Sequence, residues 1–132
     1  GLDSFEGFPV DNHDFYTKAN FLVSYEKVCS DFKKYKNVKI YKGYFEEIIE
    51  TSEFENKTFS FVFVDCDIYE SSLDVFKYIE NRINKGGFLM VDDFTSIDKN
   101  GNSIYKAFNE TLDKDKFVYF SSYSSGRIYR RL

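Results

Sequence analysis

The chain has 132 residues and a net charge of −4. That length supports one domain around one hydrophobic core, and the acidic balance supplies no global field to draw the chain to nucleic acid or an anionic membrane. No apolar run approaches the roughly 20 residues of a membrane span, no signal peptide is visible at the start, and Cys29 and Cys66 lack metal-type spacing, so both are expected to be reduced thiols of a cytoplasmic protein.

Residues 1–16 are polar, carry turn-forming Gly7, Pro9, Asp11 and Asn12, and read as loop. His13, the only histidine, falls there and reads as a surface residue. Phe21, Leu22, Tyr25, Val28, Cys29 and Phe32 recur at helical spacing and predict a helix over 17–35. Lys33, Lys34 and Lys36 suit its C-terminal end. Val38-Lys39-Ile40-Tyr41 alternates like a half-exposed edge strand, which Gly43 ends, and residues 44–53 predict a short helix carrying Phe45, Ile48 and Ile49. An apolar run predicts a central strand over 60–66. Ser71 or Ser72 is the expected N-cap of the next helix, whose core stripe is Leu73, Phe76, Ile79 and Ile83 and whose end is a glycine C-cap at Lys85-Gly86-Gly87. A second central strand covers 88–92. Asn102 or Ser103 opens a further helix with Ile104, Ala107, Phe108, Thr111 and Leu112. Two closing strands, 117–123 and 127–132, meet at Ser124-Ser125-Gly126 as an antiparallel hairpin, with Arg127, Arg130 and Arg131 on the last of them.

The resulting order, αβαβαβαββ, is an α/β fold with parallel strands and a terminal antiparallel hairpin. The two central strands are uninterrupted apolar runs, as expected of strands covered on both faces, and the single helix between them makes them parallel neighbours. Parallel neighbours end on the same side of a sheet. Asp65, Asp67, Asp92 and Asp93 therefore converge at the carboxyl edge, where open α/β sheets bind ligands. Carboxylates gathered there repel one another unless protons or a cation neutralise them, and a hard divalent ion such as Mg²⁺ meets that need. Asp65-Cys66-Asp67 on its own also suits the D-x-D of nucleotide-sugar glycosyltransferases, and solvated strand-end acids are the plain structural alternative.

Asp65-Cys66-Asp67-Ile68-Tyr69-Glu70-Ser71-Ser72 resembles the D-x-D-x-Y-E-S-T signature of the macrocin O-methyltransferase-like family, whose members methylate sugar hydroxyls of macrolide and aminocoumarin antibiotics. Residues 85–94, KGGFLMVDDF, are similar to the family's P-G-G-[FY]-[IV]-x-[IV]-D-D-Y. Residues 3–9, DSFEGFP, resemble its D-[ST]-F-E-G-[LM]-P loop, Gly43-Tyr44-Phe45 its G-x-F step, and residues 126–131, GRIYRR, its closing G-x-Y-W-R-[KR]. Each motif is weak alone, but together they run in family order from end to end. The resemblance implies a Rossmann-like class I methyltransferase sheet, S-adenosylmethionine as methyl donor and Mg²⁺ as the ion. It makes Asp65, Asp92 and Asp93 metal ligands and Asp67 the general base that deprotonates a sugar or other small-molecule acceptor. Asp3 would meet the donor's ribose with Ser4 beside it, Gly43 and Tyr44 would lie near the adenine, and Asp65 would border the donor as well. Tyr69 would either shape the acceptor site or pack beneath the loop, and Glu70 would favour the N-terminus of its helix.

One part of the family pattern is missing. Class I methyltransferases carry a Gly-rich loop after their first strand, and this chain has no G-x-G. It starts where the family's second strand has just ended, so the N-terminal strands are absent and the strand at 60–66 is expected to have an open edge. Three arrangements answer that edge: a piece of a longer protein, a reduced domain in which 38–42 closes against 60–66, or a second chain that completes the sheet as a homo-oligomer. A degenerate, non-catalytic domain is the remaining alternative to an enzyme.

Overall fold

The computed structural model describes all 132 residues. In chain order the elements are β1 (Leu2–Asp3), α1 (Tyr25–Phe32), β2 (Tyr41–Lys42), α2 (Phe45–Ile48), β3 (Phe59–Val64), α3 (Tyr69–Ile79), β4 (Ile83–Val91), α4 (Ile104–Thr111), β5 (Phe117–Tyr123) and β6 (Gly126–Arg131). They form two sheets. One is the parallel pair β1–β2; the other has the order β3-β4-β6-β5, with β3 and β4 parallel and β6 antiparallel to both of its neighbours.

The register sorts the side chains of the larger sheet by face. Val62, Leu89, Tyr129 and Tyr119 form one row, and Val64, Val91 and Arg127 the row two residues on. That face meets α3 and α4. Val64, Leu89 and Val91 pack with Phe76, Ile79, Ile104, Ala107 and Phe108 in the main core cluster. The Phe76 and Phe108 rings cross nearly at right angles, 5.9 Å apart. Ser103 caps α4 by accepting the Lys106 amide at 3.1 Å, which satisfies a backbone donor that the first helical turn leaves free.

The other face carries Phe61, Phe88, Arg130 and Val118 in one row and Phe63, Met90 and Ile128 in the next. No helix covers it. Phe61 is 56 % exposed and Phe63 46 %, which corrects the expectation that this strand is covered on both faces. The outer edge of β3 has no strand partner, as the motif order implied. An apolar groove of about 460 Å³ runs between that edge and Gly1–Asp3.

Several element boundaries differ from the sequence reading. Residues 1–16 are not all loop, because Leu2 and Asp3 pair with Tyr41 and Lys42. The half-exposed strand expected over 38–41 contracts to those two residues and never reaches β3, so 38–42 does not close against 60–66. The helix expected over 17–35 begins only after Ser24, whose side chain accepts the Lys27 amide. Phe21 stays outside it because its ring belongs to an aromatic cluster with Phe8, Phe15 and Tyr16 rather than to a helix face. The helix at 44–53 is reduced to Phe45–Ile48. Neither Ser71 nor Ser72 is an N-cap. The helix starts earlier, Ile68 occupies the cap position without a side-chain bond, and both serines are buried in the first turns. Lys85-Gly86-Gly87 does not end a helix either. α3 stops at Ile79, and the two glycines lie inside β4 where its register slips from Phe59↔Ile83 to Phe61↔Phe88.

Candidate active site

β3 and β4 run in parallel, and the Asp92 amide donates to the Val64 carbonyl at 2.9 Å, carrying the ladder one step past the strands. The four acids therefore leave the sheet side by side. The chain turns sharply at two of them: Asp67 has φ +61° and Asp93 φ +42°. Each left-handed non-glycine residue costs on the order of 1–3 kcal/mol unless its surroundings fix it, and such strain gathers at functional sites. The Asp93 amide donates to Asp92 Oδ1 at 2.9 Å, which holds the second turn.

The acids perturb one another as their proximity requires. Burial raises the Asp65 carboxyl above its usual range, and the charges of Asp92 and Asp93 add to the shift. Asp67 is pushed up to about 7, first by burial, then by the Asp65 charge and by its neighbour Asp93. Asp93 moves down, chiefly because the Tyr16 hydroxyl donates to its Oδ2. Ser125 Oγ lies 2.9 Å from Asp93 Oδ1 and 3.2 Å from Asp92 Oδ1. Between the acids, burial and then the Asp67 and Asp65 charges push the Cys66 thiol up, so it is neither a ready nucleophile nor a soft metal ligand.

Asp65, Cys66 and Asp67 line a cavity of about 200 Å³ whose other walls include Asp3, Ser4, Gly43 and Tyr44. Every residue that the motifs assigned to the donor side thus borders the same space. Asp3 is set there by β1: its carbonyl accepts the Gly43 amide at 3.0 Å, and its carboxylate accepts the Phe5 amide at 2.6 Å. Ser4 Oγ donates to the Gly7 carbonyl at 2.7 Å and shapes the loop. At Gly43 a Cβ would come within 3.0 Å of Ile48 Cγ1, so a side chain there would press on the last residue of α2. Asp92 and Asp93 stand behind this wall rather than in it.

The donor chemistry of the acid cluster fits a hard divalent cation, since it offers only oxygen atoms and a repulsion to relieve. The hydroxyls of Tyr16 and Ser125 satisfy Asp93, and no three His, Cys, Asp or Glu side chains are disposed as a ready metal-ligand set.

Three contributors are not visible in the motifs. Tyr16 and His13 come from the N-terminal loop. His13 Nδ1 accepts the Phe15 and Tyr16 amides at 3.1 and 3.3 Å while Nε2 meets Ser96 Oγ at 3.2 Å, so the one histidine orders the segment that presents Tyr16. Ser125 arrives because β6 is antiparallel to β4 and starts beside its end, with Val91 opposite Arg127. That pairing was the signal that could have found it. Glu70 does more than favour its helix. Its Oε1 accepts the Asn12 side-chain amide at 2.6 Å, and the same amide donates to buried Asp98 at 3.2 Å, fastening the loop across the site. Tyr69 points elsewhere, donating to Glu110 on α4 at 2.6 Å, and does not line the cavity.

The strand order, the closing hairpin and the acids at two parallel strand ends define a class I methyltransferase fold. The calicheamicin methyltransferase CalS11 superposes on 98 % of this chain with a TM-score of 0.75 at 20 % identity, and the O-methyltransferase NovP on 98 % with 0.69, also at 20 % identity; in both the match spans 58 % of the solved chain. The model of the macrocin-O-methyltransferase (TylF) family matches residues 2–115, and the chain belongs to that family. It is 27 % identical over 106 residues to demethyldecarbamoylnovobiocin O-methyltransferase of Streptomyces niveus and 26 % identical over 108 residues to mycinamicin III 3''-O-methyltransferase of Micromonospora griseorubida. Each match covers 70 % of this chain but only 40 % and 42 % of the relative, so the chain spans about two fifths of the length of these curated relatives. Family membership leaves the D-x-D glycosyltransferase reading without support. No helix is long and apolar enough to cross a membrane.

Proposed function

We propose that this chain carries the donor-side wall and the acid cluster of an S-adenosylmethionine-dependent O-methyltransferase acting on a hydroxyl of a sugar or other small natural-product acceptor. The observation that carries the reading is one cavity bordered by Asp65 and Asp67 on one side and by Asp3, Ser4, Gly43 and Tyr44 on the other. In the reaction the acceptor oxygen attacks the methyl carbon of the sulfonium, the carbon–sulfur bond breaks, and S-adenosylhomocysteine leaves. The hydroxyl proton goes to the Asp67 carboxylate. A carboxylate beside the nucleophile is the ordinary general base for a weakly acidic alcohol, and in-line positioning of acceptor and donor supplies much of the rate. Asp65, Asp92 and Asp93 would hold Mg²⁺, which lowers the pKa of a coordinated hydroxyl and orients it. Asp93 would then exchange its bonds to Tyr16 and Ser125 for the cation.

Calorimetric titration of S-adenosylhomocysteine and of Mg²⁺ into the full chain tests the reading. Saturable binding of the nucleoside is expected, together with proton release as Mg²⁺ binds, seen as a heat that scales with the ionisation enthalpy of the buffer. Asp93→Asn should remove the Mg²⁺ heat, and Asp67→Asn should remove the proton release while sparing nucleoside affinity. Absence of any nucleoside binding would overturn the reading for this chain by itself, in favour of a piece that needs the rest of a longer protein or of a degenerate domain.

A further inference from the structure

The cavity has an aromatic wall in which Phe21 lies outside every motif. Phe8 and Phe21 line it together with Asp3, Tyr44 and Asp67. Phe21 has φ +63°, a conformation that a bulky aromatic residue rarely adopts. Its surroundings impose it. Gly7 packs so closely on the Lys18 backbone that a Cβ would lie 2.0 Å from the carbonyl oxygen. Asn20 donates its backbone amide to the Thr17 carbonyl and its side-chain amide to the Phe15 carbonyl. The Phe21 ring meets Phe8 and Phe15 edge to face at centroid distances of 6.0 and 5.6 Å, and lies tilted against Tyr16 at 5.9 Å. Three rings and a strained backbone fix this side chain, yet it remains 57 % exposed. Phe15 in the same cluster is equally exposed; what sets Phe21 apart is that it lines the cavity that Asp3 and Tyr44 share, while Phe15 does not.

We propose that Phe21, backed by Phe8, is a binding residue of this cavity that stacks the flat base of a nucleoside-bearing methyl donor. The inference deepens the methyltransferase reading and rests on it. A preordered aromatic ring loses little freedom when a base settles on it, and base–aromatic stacking tolerates any flat heterocycle.

The chain contains no tryptophan, so Phe21→Trp creates a single indole reporter at the wall. The test is titration of S-adenosylhomocysteine, by calorimetry into the wild-type chain, Phe21→Ala and Phe15→Ala, and by fluorescence into Phe21→Trp. Phe15 belongs to the same ring cluster but does not line the cavity, so it reports packing alone. Phe21→Ala should weaken binding about tenfold or more, the order of one lost base stack. Phe15→Ala, which loosens the Phe21 ring without removing its face, should cost clearly less than Phe21→Ala, and the Trp emission should quench in parallel with binding. Unchanged affinity in Phe21→Ala, or equal losses in both alanine variants, would reduce Phe21 to a packing residue and overturn the inference while leaving the methyltransferase reading intact. Failure of the wild-type chain to bind would remove both.

Discussion

The two sheets of this molecule hold their functional residues by different physics. The main core cluster draws all of its buried residues from Val64 onward, so β3, β4, α3 and α4 pack around a common interior. The segment before β3 contributes only Ile48 and Phe54 to the buried apolar set, and α1 buries no residue. It is held instead by ring edges, by the Asn12, His13 and Tyr16 hydrogen bonds and by the two-residue β1–β2 ladder. Asp65, Asp67, Asp92 and Asp93 therefore stand on the stiff half, whereas Asp3, Ser4, Gly43 and Tyr44 stand on the thinly packed one, with the apolar groove between β1 and β3 separating them. Acid geometry is inherited from a core; the opposite wall of the cavity is inherited from a surface.

The sharpest test of that contrast is a pair of truncations. Phe76 is fully buried and packs on Phe108, so Phe76→Ala should lower unfolding stability in urea by about 3–5 kcal/mol, the cost of deleting a core ring and leaving a cavity. Phe32 sits on α1 and is 43 % exposed, so Phe32→Ala should cost less than about 1 kcal/mol. Comparable losses from the two would mean that α1 is packed in solution as tightly as α3, and the contrast would collapse.

A smaller effect is expected where the N-terminal loop is pinned. An alanine Cβ at Gly7 would collide with the Lys18 carbonyl, and the φ of +83° is itself unfavourable for alanine. Gly7→Ala should loosen 8–23 by about 1–3 kcal/mol, read as faster amide exchange and proteolytic nicking in that stretch. The amides of β4 should keep their protection. Loss of protection throughout the molecule would show that loop and core unfold as one unit.

How far the sequence could be read follows the same division. The runs behind β3 and β4, the helix opened by Ser103 and the closing hairpin were legible because burial on the main core imposes period and length on the residues. Asp65, Asp67, Asp92 and Asp93 were legible because the ends of neighbouring parallel strands are fixed once the strands are. Before β3 the rule fails. Phe21 and Leu22 sit at helical spacing with Tyr25 and Val28, but the aromatic cluster with Phe8, Phe15 and Tyr16 competes for the Phe21 ring, and the helix waits for Ser24. Lys85-Gly86-Gly87 misled for a related reason: two glycines after a helical stripe fit a C-cap, yet here they absorb a slip between paired strands. Tyr16 had no local signal at all, since its only claim on the site is a hydroxyl brought to Asp93 by a folded loop.

The smallest expected effect concerns the join between β2 and the turn after α2. Glu53 accepts from the Tyr41 hydroxyl at 2.6 Å and from Lys57 and Lys39 at 3.0 and 3.4 Å, and these bonds, Tyr41 first, hold its carboxyl down to about 2. A carboxyl depressed in the folded state stabilises that state above its unfolded value and loses the contribution as pH falls through the folded one. The window here runs from about pH 4.5 down to about pH 2. Glu53→Gln should therefore be less stable than wild type at neutral pH, and the difference should shrink steadily below pH 4.5 and vanish near pH 2. The group is exposed, so solvent screens it and added salt should shrink the difference at every pH. A difference that persisted unchanged to pH 2 would assign the Tyr41–Glu53 contact to packing rather than charge, and the thinly packed half would be less dependent on polar ties than its scarcity of buried residues implies.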